Sequence, residues 1–350
     1  MKKVGILTIN DIHNYGNRLQ NYATQEFLKE NGFIAETIKN VENKKNVKLK
    51  RLIKFFIQHK KYQKESIFLK FDKENINFSK FKVSPEKVSK DLNDKYDFFV
   101  TGSDQVWNPT FKRMSDIDFL TFSDNEKRIS FVASFGINEI PDNLKKYYKE
   151  NLKDFKSLSV REERGKEIIK ELTDRTDAVV LLDPTMLIPI EKWECIMKKP
   201  KMMDRLNGRK YILNYFLGNL SESRRKEIER VAKENDCEII NILDEKSPFY
   251  LCGPSEFVYL EKNAFLVCTD SFHSTVFAIL FNRPFVVFNR EDSEVKMNSR
   301  LDTLLSKFEL ENRWYKEKIN KDLLTADFNV NRVLEEEREK ARTFIGKSMK

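Results

Sequence analysis

The 350-residue sequence predicts an α/β fold made of two Rossmann-like halves, each with a mainly parallel sheet. Three observations predict it. Short apolar runs such as FFVT (98–101) and AFLVC (264–268) lack polar alternation, which is the pattern of strands covered on both faces. These runs alternate with helical stretches, as βαβ units require. A charged, weakly patterned stretch over 191–209 then divides the series. One half spans 1–190 and a second 205–325, and a mostly charged helical tail follows at 326–350.

In chain order, Lys3 to Ile9 reads as the first strand, and Asn17 to Asn31 as an amphipathic helix ended by Gly32. Phe33 to Ile38 is the second strand. Phe98 to Thr101, Arg128 to Ser134 and Ser157 to Val160 continue the series, with helices near 142–155 and 162–172. Val179 to Leu182 runs into Asp183-Pro184. The second half repeats the rhythm: strand Tyr211 to Phe216, helix Glu222 to Asn235, strand Glu238 to Leu243, short helix Pro254 to Asn263. The buried strand Ala264 to Cys268 leads to a helix over Ser274 to Leu280. Asn282-Arg283-Pro284 stops that helix before strand Phe285 to Phe288. A cleft between the halves would receive the strand ends of both, a favoured place for a small-molecule site.

Four scattered cysteines without C-x-x-C spacing read as reduced thiols of a cytoplasmic protein, and neither a metal site nor a disulfide framework is expected. The basic start of MKKVGILTI precedes too short an apolar run for a signal peptide. The net charge of +9 is concentrated in residues 44–64, which hold nine Lys/Arg and no acidic residue, interleaved with Leu, Ile and Phe. Such a segment suits a membrane surface, while a solvated helix packed on its own domain is the competing reading. A nucleic-acid partner is not expected, because no binding motif accompanies the charge.

The polar residues gather where strands end. His273, one of three histidines, falls between a buried strand and a helix, where α/β sheets bind ligands and a helix N-terminus favours anions. A helix-capping role is the alternative. Ser271 and Ser274 flank it. Asn14 and Asn17 follow the first strand, with Gly16 permitting close backbone approach. Ser103 and Asp104 follow FFVT; Trp107 beside them reads either as a stacking platform for a sugar or, the favoured reading for a lone aromatic, as a cleft plug. Arg161 ends SLSV, placed either to clamp a carboxylate or phosphate or to pair with a nearby acid such as Glu162 or Glu163. Arg290, Lys296 and Arg300 add cationic charge after the last strand. Together these describe a cleft suited to a small, doubly charged anion.

Read in order, NYGNRLQNYA (14–23), VTGSDQVWNP (100–109), SFGI (134–137), SVREERG (159–165), LLDPTMLI (181–188), GPSEF (253–257) and TDSFHSTVFAILFNRPFVVF (269–288) resemble the polysaccharide pyruvyl transferases. The resemblance implies a two-domain GT-B-like fold with its active site in the interdomain cleft. It also implies transfer of a pyruvyl group from phosphoenolpyruvate to two hydroxyls of a sugar, as a cyclic ketal, with phosphate released. The family's active-site histidine falls on His273 and its donor-binding arginine on Arg161. A further basic residue falls on Arg290, Lys296 or Arg300, between which spacing does not decide. The departure is Ser271, where many members carry arginine, which gives Arg300 or Lys296 a compensating role.

On this reading the donor side, Arg161, Ser271, Ser274 and the later cations, faces an acceptor side of Asn14, Asn17, Ser103 and Asp104. His273 would protonate the donor's methylene as general acid. No cofactor and no metal is called for. The expected partner is a saccharide acceptor, with a lipid-linked saccharide, a sugar nucleotide and a finished polymer all open; a lipid-linked acceptor at the inner membrane face would give residues 44–64 a docking role. The competing class is a nucleotide-sugar glycosyltransferase of the same architecture, its cations gripping a diphosphate; a silent glycan-binding protein is a third.

Overall fold

In a computed structural model, which describes residues 1–11, 13–41, 59–291 and 299–350, the chain forms two parallel sheets. Most of the basic segment (44–58) and Lys296 lie outside the described residues. The first sheet has seven strands: β1 (Lys3–Leu7), β2 (Ile34–Asn40), β3 (Phe78–Val83), β4 (Phe98–Thr101), β5 (Arg128–Ala133), β6 (Ser157–Val160) and β7 (Val179–Val180). Their spatial order is β3-β2-β1-β4-β5-β6-β7. The second contains β8 (Lys210–Tyr215), β9 (Cys237–Asn241), β10 (Leu266–Thr269) and β11 (Phe285–Val287), in the order β11-β10-β8-β9. Every residue of β4, β5, β10 and β11 is buried, which is why these strands are mostly apolar, Arg128 and Ser130 of β5 and the last threonines of β4 and β10 being the exceptions.

The helices that carry the argument are α1 (Tyr15–Glu30), α2 (His59–Asn75), α3 (Asp142–Leu152), α4 (Glu163–Thr173), α5 (Pro184–Leu187), α6 (Ile190–Ile196), α7 (Glu222–Glu234), α8 (Pro254–Asn263), α9 (Phe272–Leu280), α10 (Ser299–Lys307) and α11 (Asn331–Ser348). Each sheet reverses its strand order once, between β1 and β4 in the first and between β8 and β10 in the second. Loops at such a switch point diverge and open a crevice at the C-terminal strand ends. The loops after β1 and β4 and the one after β10 come from these two points.

Two elements differ from the expected pattern. Beyond the basic segment, residues 65–83 carried no sequence assignment; they hold most of α2 and the edge strand β3. FSKFKV alternates apolar residues with lysines, as an edge strand does when one face must stay wet. The expected tail is the helix α11, which folds back across the first half. The Phe344 ring stacks on Phe131, Arg338 donates to the carbonyls of Met186 and Ile188, and Lys340 donates to that of Val180.

The two halves share one hydrophobic core. The Tyr15 ring, fully buried, stacks on Phe257 of α8 at 4.8 Å, and its hydroxyl donates to the Cys252 carbonyl at 2.7 Å. Full burial of each such ring contributes about 1.5–3 kcal/mol. Lys64 of α2, also buried, donates to the Ile242 carbonyl and lies over the Tyr15 and Tyr250 rings; burial pushes its ammonium down to about 8. Lys60 and Lys61, both exposed, bind Glu245, so this end of the basic segment is tied to the second half. No helix among the described residues is long and apolar enough to cross a membrane.

Candidate active site

His273 is the second residue of α9, delivered to the crevice by β10. Its ring is 7% exposed and lies edge-on beside Phe272. A Cβ added to Gly16, at the start of α1, would stand 2.1 Å from His273 Nδ1, so the bare glycine backbone is what lets the imidazole dock on the first half. Nδ1 therefore rests on α1. Nε2 points the other way, 3.7 Å from Asp183 Oδ2, beyond hydrogen-bonding distance.

Asp183 is the centre of a buried network. It caps α5 through Oδ1, which accepts from the Thr185 amide and hydroxyl at 3.0 and 2.6 Å. Oδ2 accepts from the Ser103 hydroxyl at 2.9 Å and pairs with Arg161 Nη2 at 2.9 Å. Burial alone would raise the Asp183 carboxyl, but the charges of Arg161 and His273 outweigh it and hold the acid far below the usual carboxylate range. Asp104, in a left-handed turn after β4, has its Oδ1 3.9 Å from Arg161 Nη1, and Asn17 donates to its Oδ2. It too is held low, burial being outweighed by Arg161, His273 and Arg300.

Arg161 and Arg300 meet against one aromatic ring, their guanidinium carbons 4.8 and 5.6 Å from the centroid of Phe272. Burial, with the Arg161 charge added to it, pushes the Arg300 guanidinium down to about 10, against the attraction of Glu162 and Asp104. Glu162 itself is spent on the SFG loop: its Oε1 accepts from the Ser134 hydroxyl and the Phe135 and Gly136 amides. Four buried donor atoms here lack a protein acceptor: Nε and Nη1 of Arg161, Nε of Arg300 and Nε2 of His273. Each such orphan costs about 1–3 kcal/mol unless a ligand satisfies it. Two guanidiniums and an imidazole from opposite halves, short of acceptors, form a receptor for an anion with more than one charged group.

The structure thus brings His273, Arg161, Arg300, Ser103, Asp104 and Asn17 together. Ser103 is fully buried, its hydroxyl donating to Asp183 and accepting from Arg161 at 2.5 Å, so it orients the arginine. Asn14 caps α1, its Oδ1 accepting from the Asn17 amide. Ser271 stands at the N-cap of α9 with its amide donating to Thr269 Oγ1. Ser274 is a correction. Because α9 begins at Phe272, Ser274 lies inside the helix and turns away from the crevice, its hydroxyl donating to the buried Glu261 of α8 at 2.6 Å. Arg290 pairs with Asp270 at 3.2 Å on the crevice rim. Trp107 is fully buried, stacked on Phe119, a core plug. Asp183 and Phe272 carried no assigned role in the sequence; the signal for Asp183 was an acid at a strand end directly before a proline, an N-cap placement shared with the other site loops. Among the described residues no group of three or more His, Cys, Asp or Glu is arranged to hold a metal ion.

A model of the polysaccharide pyruvyl transferases matches residues 14–293, a stretch that opens at the cap of α1 and includes Asp183, Arg161 and His273. No curated protein matches the chain. Among solved structures, UDP-GlcNAc 2-epimerase from Methanocaldococcus jannaschii aligns at 14% identity with a TM-score of 0.53, over 93% of this chain and 90% of that one. UDP-N-acetylglucosamine 2-epimerase from Rickettsia bellii aligns at 11% identity and 0.53, over 100% and 97%. S. aureus MnaA, solved with UDP, aligns at 13% and 0.52, over 93% and 86%. At these identities the likeness is one of fold: two Rossmann-like domains in the GT-B-like arrangement.

Proposed function

This chain belongs to the polysaccharide pyruvyl transferase family, and we propose that it moves the pyruvyl group of phosphoenolpyruvate onto two hydroxyls of a saccharide, releasing phosphate. The observation that carries the reading is the set of unpaired buried donors on Arg161, Arg300 and His273. Phosphoenolpyruvate carries a carboxylate and a phosphate on a three-carbon frame, and two guanidiniums at one aromatic ring match that pair of anions.

The proton of the His273 imidazolium, at Nε2, goes to the donor's methylene carbon, making it a methyl group. The cation left at C2 is captured by one acceptor hydroxyl, whose oxygen forms the first C–O bond and whose proton returns to the imidazole. The bond from C2 to the phosphate oxygen then breaks, phosphate leaving with the electron pair. The second hydroxyl closes the ketal and its proton goes to phosphate. Arg161 and Arg300 stabilise the departing charge. Asp183 keeps Arg161 and Ser103 in place, and Asn17 with Asp104 stands on the acceptor side. We place the acceptor on a lipid carrier, with Lys and Arg of residues 44–58 drawing the protein to an anionic membrane face.

Incubation with phosphoenolpyruvate and a saccharide panel should release phosphate. Release of nucleotide from a sugar nucleotide, with none from phosphoenolpyruvate, would replace this reading with a glycosyltransferase. Gly16→Ala is a sharper check of the docking geometry. The methyl group must displace the His273 ring, and a misplacement of about 1 Å costs on the order of 100-fold in turnover. Alanine is the better helix former by about 1 kcal/mol, so helix propensity cannot account for a loss. Turnover equal to the parent would show that the imidazole position is unimportant.

A further inference from the structure

Away from the His273 crevice, a second pocket of about 430 Å³ opens at the C-terminal edge of the smaller sheet. That size falls within the range of small-molecule sites, roughly 300–1,000 Å³. Its floor is set by strand register. Asn214 of β8 pairs with Asn241 of β9, placing both amides side by side on the face that looks toward α7. Asn214 is 7% exposed, and its Oδ1 is buried without a hydrogen-bond partner. Asn241 uses its carbonyl oxygen on the Leu243 amide. Around the amides stand Phe216, Leu220, Ile239 and Leu243, and Ile239 is among the exposed large apolar residues of the chain.

The charges decide what this pocket takes. Its rim has one cation, Arg225, against two carboxylates, Glu229 and Asp244. The N-terminus of α7 would ordinarily attract a phosphate. Here it is already occupied by a carboxylate of the chain: the Ser221 amide and hydroxyl both donate to Glu291, at 3.0 Å each. A polyphosphate is therefore repelled. Amides beside an apolar floor suit an uncharged ring with hydroxyls on its edge and C–H groups on its face. We propose that this pocket binds a neutral sugar ring of an oligosaccharide, a subsite for acceptor residues beyond the ring that is modified. The identification with the acceptor rests on the pyruvyl-transfer reading; the ligand chemistry does not.

The pocket is linked to the active site through hydrogen bonds. The loop that lines it sends the Leu217 and Gly218 amides to Asp270 at 2.7 and 2.8 Å, and Asp270 holds Arg290 three residues before His273. An oligosaccharide seated here runs along the strand ends toward the crevice.

The test is a calorimetric titration of the full chain, without phosphoenolpyruvate, with cellobiose, lactose and chitobiose. At least one should bind, with a dissociation constant on the order of millimolar. Asn214→Ala and Asn241→Ala should each weaken that binding by about fivefold or more. Asn241 lies exposed on the edge strand, so its variant keeps the proposal testable should Asn214→Ala fail to fold. Absence of binding by all three sugars, binding unchanged in both variants, or displacement of the sugar by uridine monophosphate would each overturn the proposal. Sugar binding that persists while phosphoenolpyruvate yields no phosphate would overturn the transfer reading and leave this pocket standing.

Discussion

Replacing His273 with glutamine lowers turnover of phosphoenolpyruvate by about 10²- to 10⁴-fold, the contribution of a positioned general acid. Glutamine retains a hydrogen-bond donor of similar reach and loses the transferable proton. The fold should hardly respond, because Nε2 makes no hydrogen bond within the protein and stands 3.7 Å from its nearest carboxylate. Steady-state kinetics and a melting curve together make the check. A large fall in kcat with a near-parental KM for phosphoenolpyruvate and a near-parental Tm is expected. Unchanged kcat would remove His273 from the chemistry.

Arg161→Leu should do two kinds of damage. In the parent, Asp183 is completely buried and its charge is balanced by Arg161 at 2.9 Å. Removing one partner of such a pair costs about 3–5 kcal/mol, because a carboxylate is left without its cation. The loss depends on pH in a definite direction. The Asp183 carboxyl is held below its unfolded value, so its contribution is fully present above about pH 4 and disappears only as pH falls through the folded value. Denaturation curves of parent and variant should therefore differ most near neutrality and converge in acid. The second damage is to the donor: loss of charge-assisted hydrogen bonds should raise KM for phosphoenolpyruvate by roughly tenfold or more. A variant as stable as the parent at pH 7 would show that Asp183 finds its counter-charge elsewhere.

How much of this was legible beforehand follows from which interactions are local. The buried strands were readable because a parallel strand covered on both faces is apolar along most of its length, as FFVT and LVCT are up to their terminal threonines. The loops were readable because strand ends in such sheets concentrate cap-forming and ligand-binding residues. The edge strand β3 escaped because lysines interrupt it, and α2 because its buried positions are few and include a lysine and an aspartate. Ser274 was misplaced by a shift of only two residues in the start of α9, yet that shift decides which side of the helix a residue occupies.

Within the site, the individual residues were visible and their partners were not. From sequence alone Arg161 read more readily as an ion pair with Glu162, Glu163 or another nearby carboxylate than as a ligand clamp; it reaches Asp183 and, through Phe272, Arg300 of the other half. Ser103 and Asp183 are eighty residues apart and share a hydrogen bond. Periodicity and spacing carry no information about such contacts; the two topological switch points create them. The choice among Arg290, Lys296 and Arg300 was open for the same reason: α10 returns Arg300 to the Phe272 ring and Arg290 stays with Asp270, while Lys296 lies outside the described residues.

The decisive measurement follows carbon from donor to sugar. Phosphoenolpyruvate labelled at C2 is supplied with a lipid-linked saccharide, and the product is read by mass spectrometry and carbon NMR, in parent, Arg161→Leu and His273→Gln. The account predicts a labelled ketal carbon bonded to two sugar oxygens and an equal yield of phosphate in the parent, with both strongly reduced in the two variants. A ketal formed at parental rate without either side chain, or phosphate released with no carbon reaching the sugar, would contradict it.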